Sequence, residues 1–450
     1  MRKNQATTNE EMLRSGNYWT LAKKLCLPAI LIMLVMVLYH MADVFFIGQM
    51  GDANKVAAVS LASPMFSILS GLGVLLGNGG CTAISLALGK GDYARIKKIS
   101  AFAVWGAILI GAVFAAVVLA LMDPVCRLLG TDEATEAFTA EYLRLIAVGA
   151  PVIMLANVAP ALIRADGSTT DSMIGNMIGT VLNIALDPLL ISALNMGVSG
   201  AALATVIANV ASLIYYAWFL RSKGKIYSAS PRHVALEKGV VWTVLSLGLP
   251  LSLSTILASV SGAVANNLMM AYGSVAVAGQ SVASRIGQMI SMTVMGVCMG
   301  MQPAISFNYS AGNKKRLTEI LIKTTGLAVI AGTALSALCL LLRDQLLNAF
   351  LNDPSVLTIG RVCLLASIVI GPFFGFYQIC TTYLQAAGKS KEAIVVSLLE
   401  KGLVYIPMLF IMNWLFRMYG VVFAGTVTCV ISAAAALAFC YKDYRKELDH

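Results

Sequence analysis

Long apolar runs alternate with short polar breaks from about residue 25 to residue 441. A helix crossing the hydrocarbon core of a bilayer needs about 20 mostly apolar residues. Reading the runs between charged or turn-rich breaks predicts twelve such spans. They cover approximately 25–50, 56–88, 99–121, 138–163, 172–194, 198–220, 239–270, 275–307, 318–342, 356–385, 393–415 and 418–441. Several exceed the minimum length, so tilt or extension beyond the bilayer is expected.

Composition removes the soluble alternative. Of 450 residues, 58% are hydrophobic and 12% charged, with a mean hydropathy of +0.81. A soluble chain is about half apolar and about a quarter charged. The pattern therefore predicts an all-α integral membrane protein whose main partner is the lipid bilayer.

The net charge of +10 is explained by where the cations lie. The amino-terminal segment, the even-numbered loops and the carboxyl terminus hold 25 Lys and Arg, with Lys389, Lys391 and Lys401 counted among the loop cations. The odd-numbered loops hold five: Lys55, Arg127, Arg343, Arg361 and Arg417. This asymmetry predicts a multi-pass protein of the cytoplasmic membrane with both termini cytoplasmic. It gives no reason to expect nucleic acid. Nine cysteines, mostly inside apolar runs, suggest neither a disulfide framework nor a zinc site. Met1–Gly16 is polar, and no cleavable signal peptide is expected; the first span serves as its own insertion signal.

The chain also repeats itself. Val56-Ala-Ala-Val-Ser-Leu-Ala62 aligns with Val277-Ala-Gly-Gln-Ser-Val-Ala283 at an offset of 221. The same offset pairs Gly91-Asp92 with Gly312-Asn313, and Arg164-Ala-Asp-Gly167 with Gln385-Ala-Ala-Gly388. Six spans per half preserve orientation, so the repeat is parallel, about an axis along the membrane normal. The expected organisation is an amino-terminal lobe, 1–220, a basic cytoplasmic linker, 221–238, and a carboxyl-terminal lobe, 239–450. Two pseudo-symmetric six-helix bundles suit an alternating-access transporter.

Ionisable groups inside spans are costly and need a reason. Asp43 lies 19 residues after Lys24, about 28 Å along span 1. Asp187 lies 16 residues after Asp171, about 24 Å along span 5, at similar depth. Asn183 is one turn from Asp187 on the same face, and Thr205 enters this layer from the outer side on span 6. Depth alone does not give lateral contact. Such a layer suits a cation: oxygen ligands for Na⁺, or a carboxylate pair that holds a proton. His40 and Tyr39, one turn from Asp43, are candidate modulators. The plainer alternative has Asp187 capping a break at Pro188 and Asp43 bonding locally near the outer interface.

The second half lacks this constellation. Where the first half has Leu186-Asp187-Pro188, the second has Tyr405-Ile406-Pro407, so ion coupling is assigned to the first half. Arg285 within span 8 is expected to have a structural role, and Arg144 is expected to pair with Glu141. No Walker motif, HExxH motif or Ser/His/Asp constellation occurs. Neither ATP, another cofactor nor enzymatic activity is expected.

Asp43-Val-Phe-Phe-Ile-Gly-Gln-Met-Gly51 followed by Val56-Ala-Ala-Val-Ser60 resembles the first-helix signature of the multidrug and toxic compound extrusion (MATE) family. Gly89-Lys-Gly-Asp92, Arg164-Ala-Asp-Gly167, Asn183-Ile-Ala-Leu-Asp-Pro-Leu-Leu190 and Gly200-Ala-Ala-Leu-Ala-Thr205 fit the same family in order. The carboxylate in span 5 and the plain second half are similar to the bacterial MepA/DinF-type branch. The resemblance covers about residues 15–445 and implies a twelve-helix, two-lobe exporter of cationic amphipathic drugs or toxins in exchange for Na⁺ or H⁺. It implies ion-site roles for Asp43, Asn183, Asp187 and Thr205, which would be the Na⁺ ligands if sodium is the coupling ion. It matches Asn157 and Asn209 to the substrate cavity, and it implies function as a monomer. In the expected cycle the ion loads Asp43 and Asp187, repacks helix 1 near Pro28 and lowers substrate affinity. A lipid-linked oligosaccharide flippase of the same superfamily and a non-transporting receptor or scaffold are the alternatives.

Overall fold

The computed structural model describes residues 4–48, 52–222, 226–234, 237–348 and 354–448, among which no strand occurs. A short helix α1 (Asn4–Ser15) precedes α2 (Tyr18–Gly48), α3 (Ala53–Gly89), α4 (Tyr93–Ala120) and the seven-residue α5 (Met122–Leu128). There follow α6 (Glu136–Arg164), α7 (Thr169–Asp187) and α8 (Gly197–Ser222), with a π turn, Pro188–Ala193, between the last two. The second half runs through α9 (Lys238–Met270), α10 (Ser274–Ser310), α11 (Lys314–Leu341), short α12 (Arg343–Asn348) and α13 (Pro354–Ala386). It ends with α14 (Ser390–Leu398), a second π turn, Leu399–Leu403, and α15 (Tyr405–Leu448).

Eleven runs among the described residues are long and apolar enough to cross a membrane. The last, Ser390–Asp443, has 54 residues, about 80 Å of helix rise against a core of about 30 Å. It holds the predicted eleventh and twelfth spans. The chain reverses at Arg417, whose φ is 53°. A side chain on Gly420 would overlap the Met412 carbonyl oxygen, so this tight reversal requires glycine there.

The repeat reappears in the helix limits. Helices α3 and α10 both have 37 residues and start 221 apart (274 − 53); α4 and α11 both have 28 and start 221 apart (314 − 93). The caps repeat too. Asp92 accepts from the Arg95 amide at 3.0 Å, and Asn313 accepts from the Arg316 amide at 3.3 Å. Each cap satisfies one orphan donor of its helix.

The chain forms two compact units. The first comprises Met1–Leu13 and Val35–Gly248, the second Arg14–Leu34 and Leu249–His450. The unit limits thus fall inside α1, α2 and α9 rather than in the loops. Glycines account for this membership. In the second unit, a Cβ on Gly296 or Gly300 of α10 would lie 2.7 Å from Ile30 Cα or the Leu25 carbonyl oxygen. In the first, side chains on Gly79 and Gly248 would overlap the Val244 and Leu75 carbonyl oxygens.

In the first unit α6 is the central helix, packed along α3, α4 and α8; α13 has that place in the second, along α10, α11 and α15. By contrast α4 exposes Leu109, Val113 and Val117, an apolar face that lipid solvates at no cost.

Candidate functional site

The buried face of α7 consists of Thr169, Ser172, Gly175, Gly179, Asn183 and Asp187. All are small or polar, and from Gly175 onward they repeat every four residues, one stripe of the helix. Small side chains let α8 approach closely. Tyr216 donates its hydroxyl to the Ser172 carbonyl at 3.0 Å, and Ser212 donates to the Gly175 carbonyl at 2.9 Å. One turn higher, a Cβ on Gly179 would overlap Ser212 Oγ and lie 3.2 Å from the Ala208 carbonyl oxygen. Continuing this antiparallel register sets Asn183 opposite Ala208 and Ala204, and Asp187 opposite Ala204 and Gly200. Thr205 lies on the same stretch of α8 and is buried.

Asn183, Asp187 and Thr205 are buried, with Asp187 fully inaccessible. Among the described residues, neither polar atom of the Asn183 amide has a hydrogen-bond partner, although a buried amide without one costs about 1–3 kcal/mol. Thr205 donates its hydroxyl to its own helix at Ala201, 3.1 Å away, which leaves the oxygen to accept. Helix α7 ends at Asp187, and Pro188 opens the π turn. Proline has no amide hydrogen, so the regular ladder cannot continue through it. Asp187 makes no side-chain capping bond to that turn. An orphaned amide one turn from a buried carboxylate is a donor set that a cation or proton can complete.

The side chains of Asp43 and His40 lie outside the described residues, although the α2 backbone there is helical. Tyr39 is half-buried on the same helix. Asn157 donates to its own Ile153 carbonyl at 2.9 Å, and Asn209 to its own Thr205 carbonyl at 2.8 Å. Asn209 thereby ties one candidate cavity residue to the Thr205 backbone. Arg285 is exposed on α10. Glu141 takes the Ser199 hydroxyl, and its expected pairing with Arg144 is not among the ion pairs of the described residues.

At the other end of the first unit, the turn between α6 and α7 buries Asp166 beside Arg164. Ser168 donates its amide to Asp166 at 3.0 Å. Burial outweighs that bond and pushes the carboxyl up to about 6. Ser85 ties the turn to α3 through the Ala165 carbonyl at 2.8 Å.

One cluster escaped the sequence reading. Lys401, counted above among the cytoplasmic loop cations, lies 11 residues into the helical run that opens at Ser390. Removing it leaves 24 cations against five (25 − 1), so the asymmetry stands. The second half also has a buried carboxylate after all: Glu400, paired with Lys401 at 2.6 Å. Both residues fall inside the predicted span 393–415, which was the signal available. Among the described residues, no three His, Cys, Asp or Glu side chains come together as a metal site.

Comparison with known proteins adds four findings. The MatE family profile matches twice, over residues 28–189 and 250–411. The chain is 33% identical over 419 residues to multidrug export protein MepA of Staphylococcus saprophyticus, covering 92% of this chain and 91% of that protein. It is 32% identical over 416 residues to MepA of Staphylococcus aureus, covering 92% of each. Its fold matches an outward-facing multidrug resistance MATE family transporter at a TM-score of 0.92, with 22% identity and 98% of both chains covered.

Proposed function

The chain belongs to the MatE family, and on that footing we propose that it exports cationic amphipathic compounds from the cytoplasm in exchange for H⁺ or Na⁺. Family membership makes it a multi-pass membrane transporter; substrate class and coupling ion are the proposal. The observation that carries the coupling is the orphaned Asn183 amide, one turn from fully buried Asp187.

In this reading an organic cation binds from the cytoplasmic side while Asp187 is ionised. A proton or Na⁺ from outside then neutralises the layer of Asp43, Asn183, Asp187 and Thr205. Neutralisation removes the cost of a buried charge and lets α2 repack near Pro28. Affinity for the organic cation falls with the lost charge, and the compound leaves outward. His40 and Tyr39 tune the proton at Asp43, and Asn157 and Asn209 contact the substrate. The amino-terminal lobe, 1–220, and the carboxyl-terminal lobe, 239–450, move about the linker 221–238. Both termini are cytoplasmic, and one monomer suffices.

Cells stripped of their own efflux pumps test this directly. Those expressing the chain retain less ethidium than empty-vector cells, and collapsing the ion gradient restores retention. Equal retention in both, with the protein present in the membrane, rejects export of organic cations.

A further inference from the structure

Each unit carries a cavity near the start of α4 or α11, and the repeat relates the two. The first, about 190 Å³, is lined by Ser100, Val104, Ala159, Leu162 and Leu220. The second, about 260 Å³, is lined at the five positions 221 residues on: Leu321, Thr325, Cys380, Tyr383 and Tyr441. A cation follows in both. Arg221 lines the first cavity, and Lys442, its repeat mate, is exposed next to Tyr441.

The first cavity is closed by the chain itself. Tyr227, Ser228 and Ala229 of the linker line it, and three bonds hold them. The Ser228 amide donates to Ser100 Oγ at 2.9 Å, Ser100 Oγ donates to the Ser228 carbonyl at 3.1 Å, and Trp105 Nε1 donates to the Ala229 carbonyl at 3.0 Å. In the second unit these anchors are gone, because Leu321 stands for Ser100 and Gly326 for Trp105. A Cβ on Gly326 would meet nothing within 4 Å, so the place of the indole is open. Cys440 of the second cavity stands where the first unit buries Phe219, which leaves further room.

What remains suits an alkyl chain. Thr325 donates to its own Leu321 carbonyl at 2.7 Å, Cys440 to the Cys380 carbonyl at 3.5 Å and Tyr383 to Asp443 Oδ2 at 3.0 Å. With these donors spent inside the protein, an extended peptide would leave its own amides unpaired there. Leu321 lies seven residues into α11 (321 − 314), and Tyr383 three before the end of α13 (386 − 383). Those are about 10 Å and 5 Å of helix rise, within one leaflet's half of the roughly 30 Å hydrocarbon core. Leu437 and Tyr441 on the cavity wall are 43% and 66% exposed, so the cavity opens toward lipid. An apolar cavity of about 150 Å³ stays dry and takes a benzene-sized ligand; this one is larger, and lipid tails are the apolar matter at hand.

We propose that the second cavity holds one acyl chain of an anionic phospholipid, in the leaflet where α15 ends, with its phosphate at Lys442. Lys442 has no ion pair among the described residues, and neighbouring Asp443 is already taken by Lys389 at 2.6 Å. A lipid thus closes in the second unit what the linker closes in the first, whatever compound the protein exports.

The test places the full chain in nanodiscs of equal parts phosphatidylglycerol and phosphatidylcholine, with a trace of one or the other bearing a diazirine on one acyl chain. Peptides labelled on illumination are mapped by mass spectrometry, and the exposed α4 face, Leu109–Val117, reports contact with bulk lipid. Labelling of 321–326 and 437–441 exceeds that reference and is stronger for phosphatidylglycerol. Gly326→Trp restores the indole of the first unit and lowers cavity labelling about fivefold or more, the loss of roughly ten close carbon contacts. Gly326→Ala does not, and the α4 reference is unchanged in both. Lys442→Gln lowers phosphatidylglycerol labelling about fivefold, the share of one lysine near a membrane surface, and leaves phosphatidylcholine labelling as it was. Cavity labelling at the reference level, equal for the two lipids, or unchanged in Gly326→Trp overturns the proposal, as does an equal loss at the cavity and at α4.

Discussion

Ser212 donates its hydroxyl to the Gly175 carbonyl at 2.9 Å, and this bond sets the register that carries Asn183 and Asp187 along α8. The buried stripe of α7 therefore ends in two groups that packing alone does not require.

Asn183→Leu separates stability from transport. The buried amide, without a hydrogen-bond partner among the described residues, costs about 1–3 kcal/mol, and leucine keeps its branched shape with no polar atom to satisfy. The variant melts higher in detergent while gradient-driven flux falls at least about tenfold. A lower melting temperature with normal flux would make Asn183 a packing residue.

Gly248→Ala probes the close approach of α9 to α3. The added methyl would overlap the Leu75 carbonyl oxygen, and backbone cannot step aside cheaply, so a loss of about 1–3 kcal/mol is expected. Gly239→Ala is the control, because nothing lies within 4 Å of its added Cβ. Gly239→Ala melts at or slightly above the parent temperature, and Gly248→Ala below it.

Asp166 gives the first unit a pH dependence of known sign. Burial raises its folded pKa to about 6, above the ordinary aspartate value of about 3.9, so the folded state holds the proton more tightly. Stability is then fully present below about pH 4 and declines as pH rises through about 6, by up to roughly 3 kcal/mol. Asp166→Asn stays uncharged and keeps an acceptor for the Ser168 amide. Melting temperatures from pH 4 to 7.5 should show a slope in the parent that the variant lacks.

Arg316 fastens the chain between α1 and α2 to α11. It is buried, pairs with Glu319 at 2.7 Å and donates to the Gly16 carbonyl. Tyr18 adds a hydroxyl contact to Thr324 at 3.2 Å nearby. Arg316→Ala should speed amide hydrogen exchange around residues 16–20. Lysine should not rescue it, because a point charge cannot make the two-pronged contact.

Much of the fold was legible because hydropathy and the 221-residue offset are long-range signals that survive small local errors. Asp92 and Asn313 show how far the repeat goes, down to the same capping bond. The division of α2 and α9 was not legible. It depends on where Gly79, Gly248, Gly296 and Gly300 admit a neighbour's backbone, and a glycine does not announce its neighbour. At the site, helical spacing put Asn183 and Asp187 on one face, but only the α7–α8 register supplies what lies opposite. Glu400 and Lys401 lie inside the predicted span 393–415, yet their pairing was not legible, because adjacent residues of a regular helix do not face each other and only the π turn lets them meet.

The most direct measurement is flux of a fluorescent organic cation in liposomes, under an imposed Na⁺ gradient and then a pH gradient, with Asp187→Asn alongside. Flux driven by one gradient and lost in the variant is the predicted result, and it names the ion. Normal gradient-driven export by correctly inserted Asp187→Asn would contradict the coupling role given to that carboxylate.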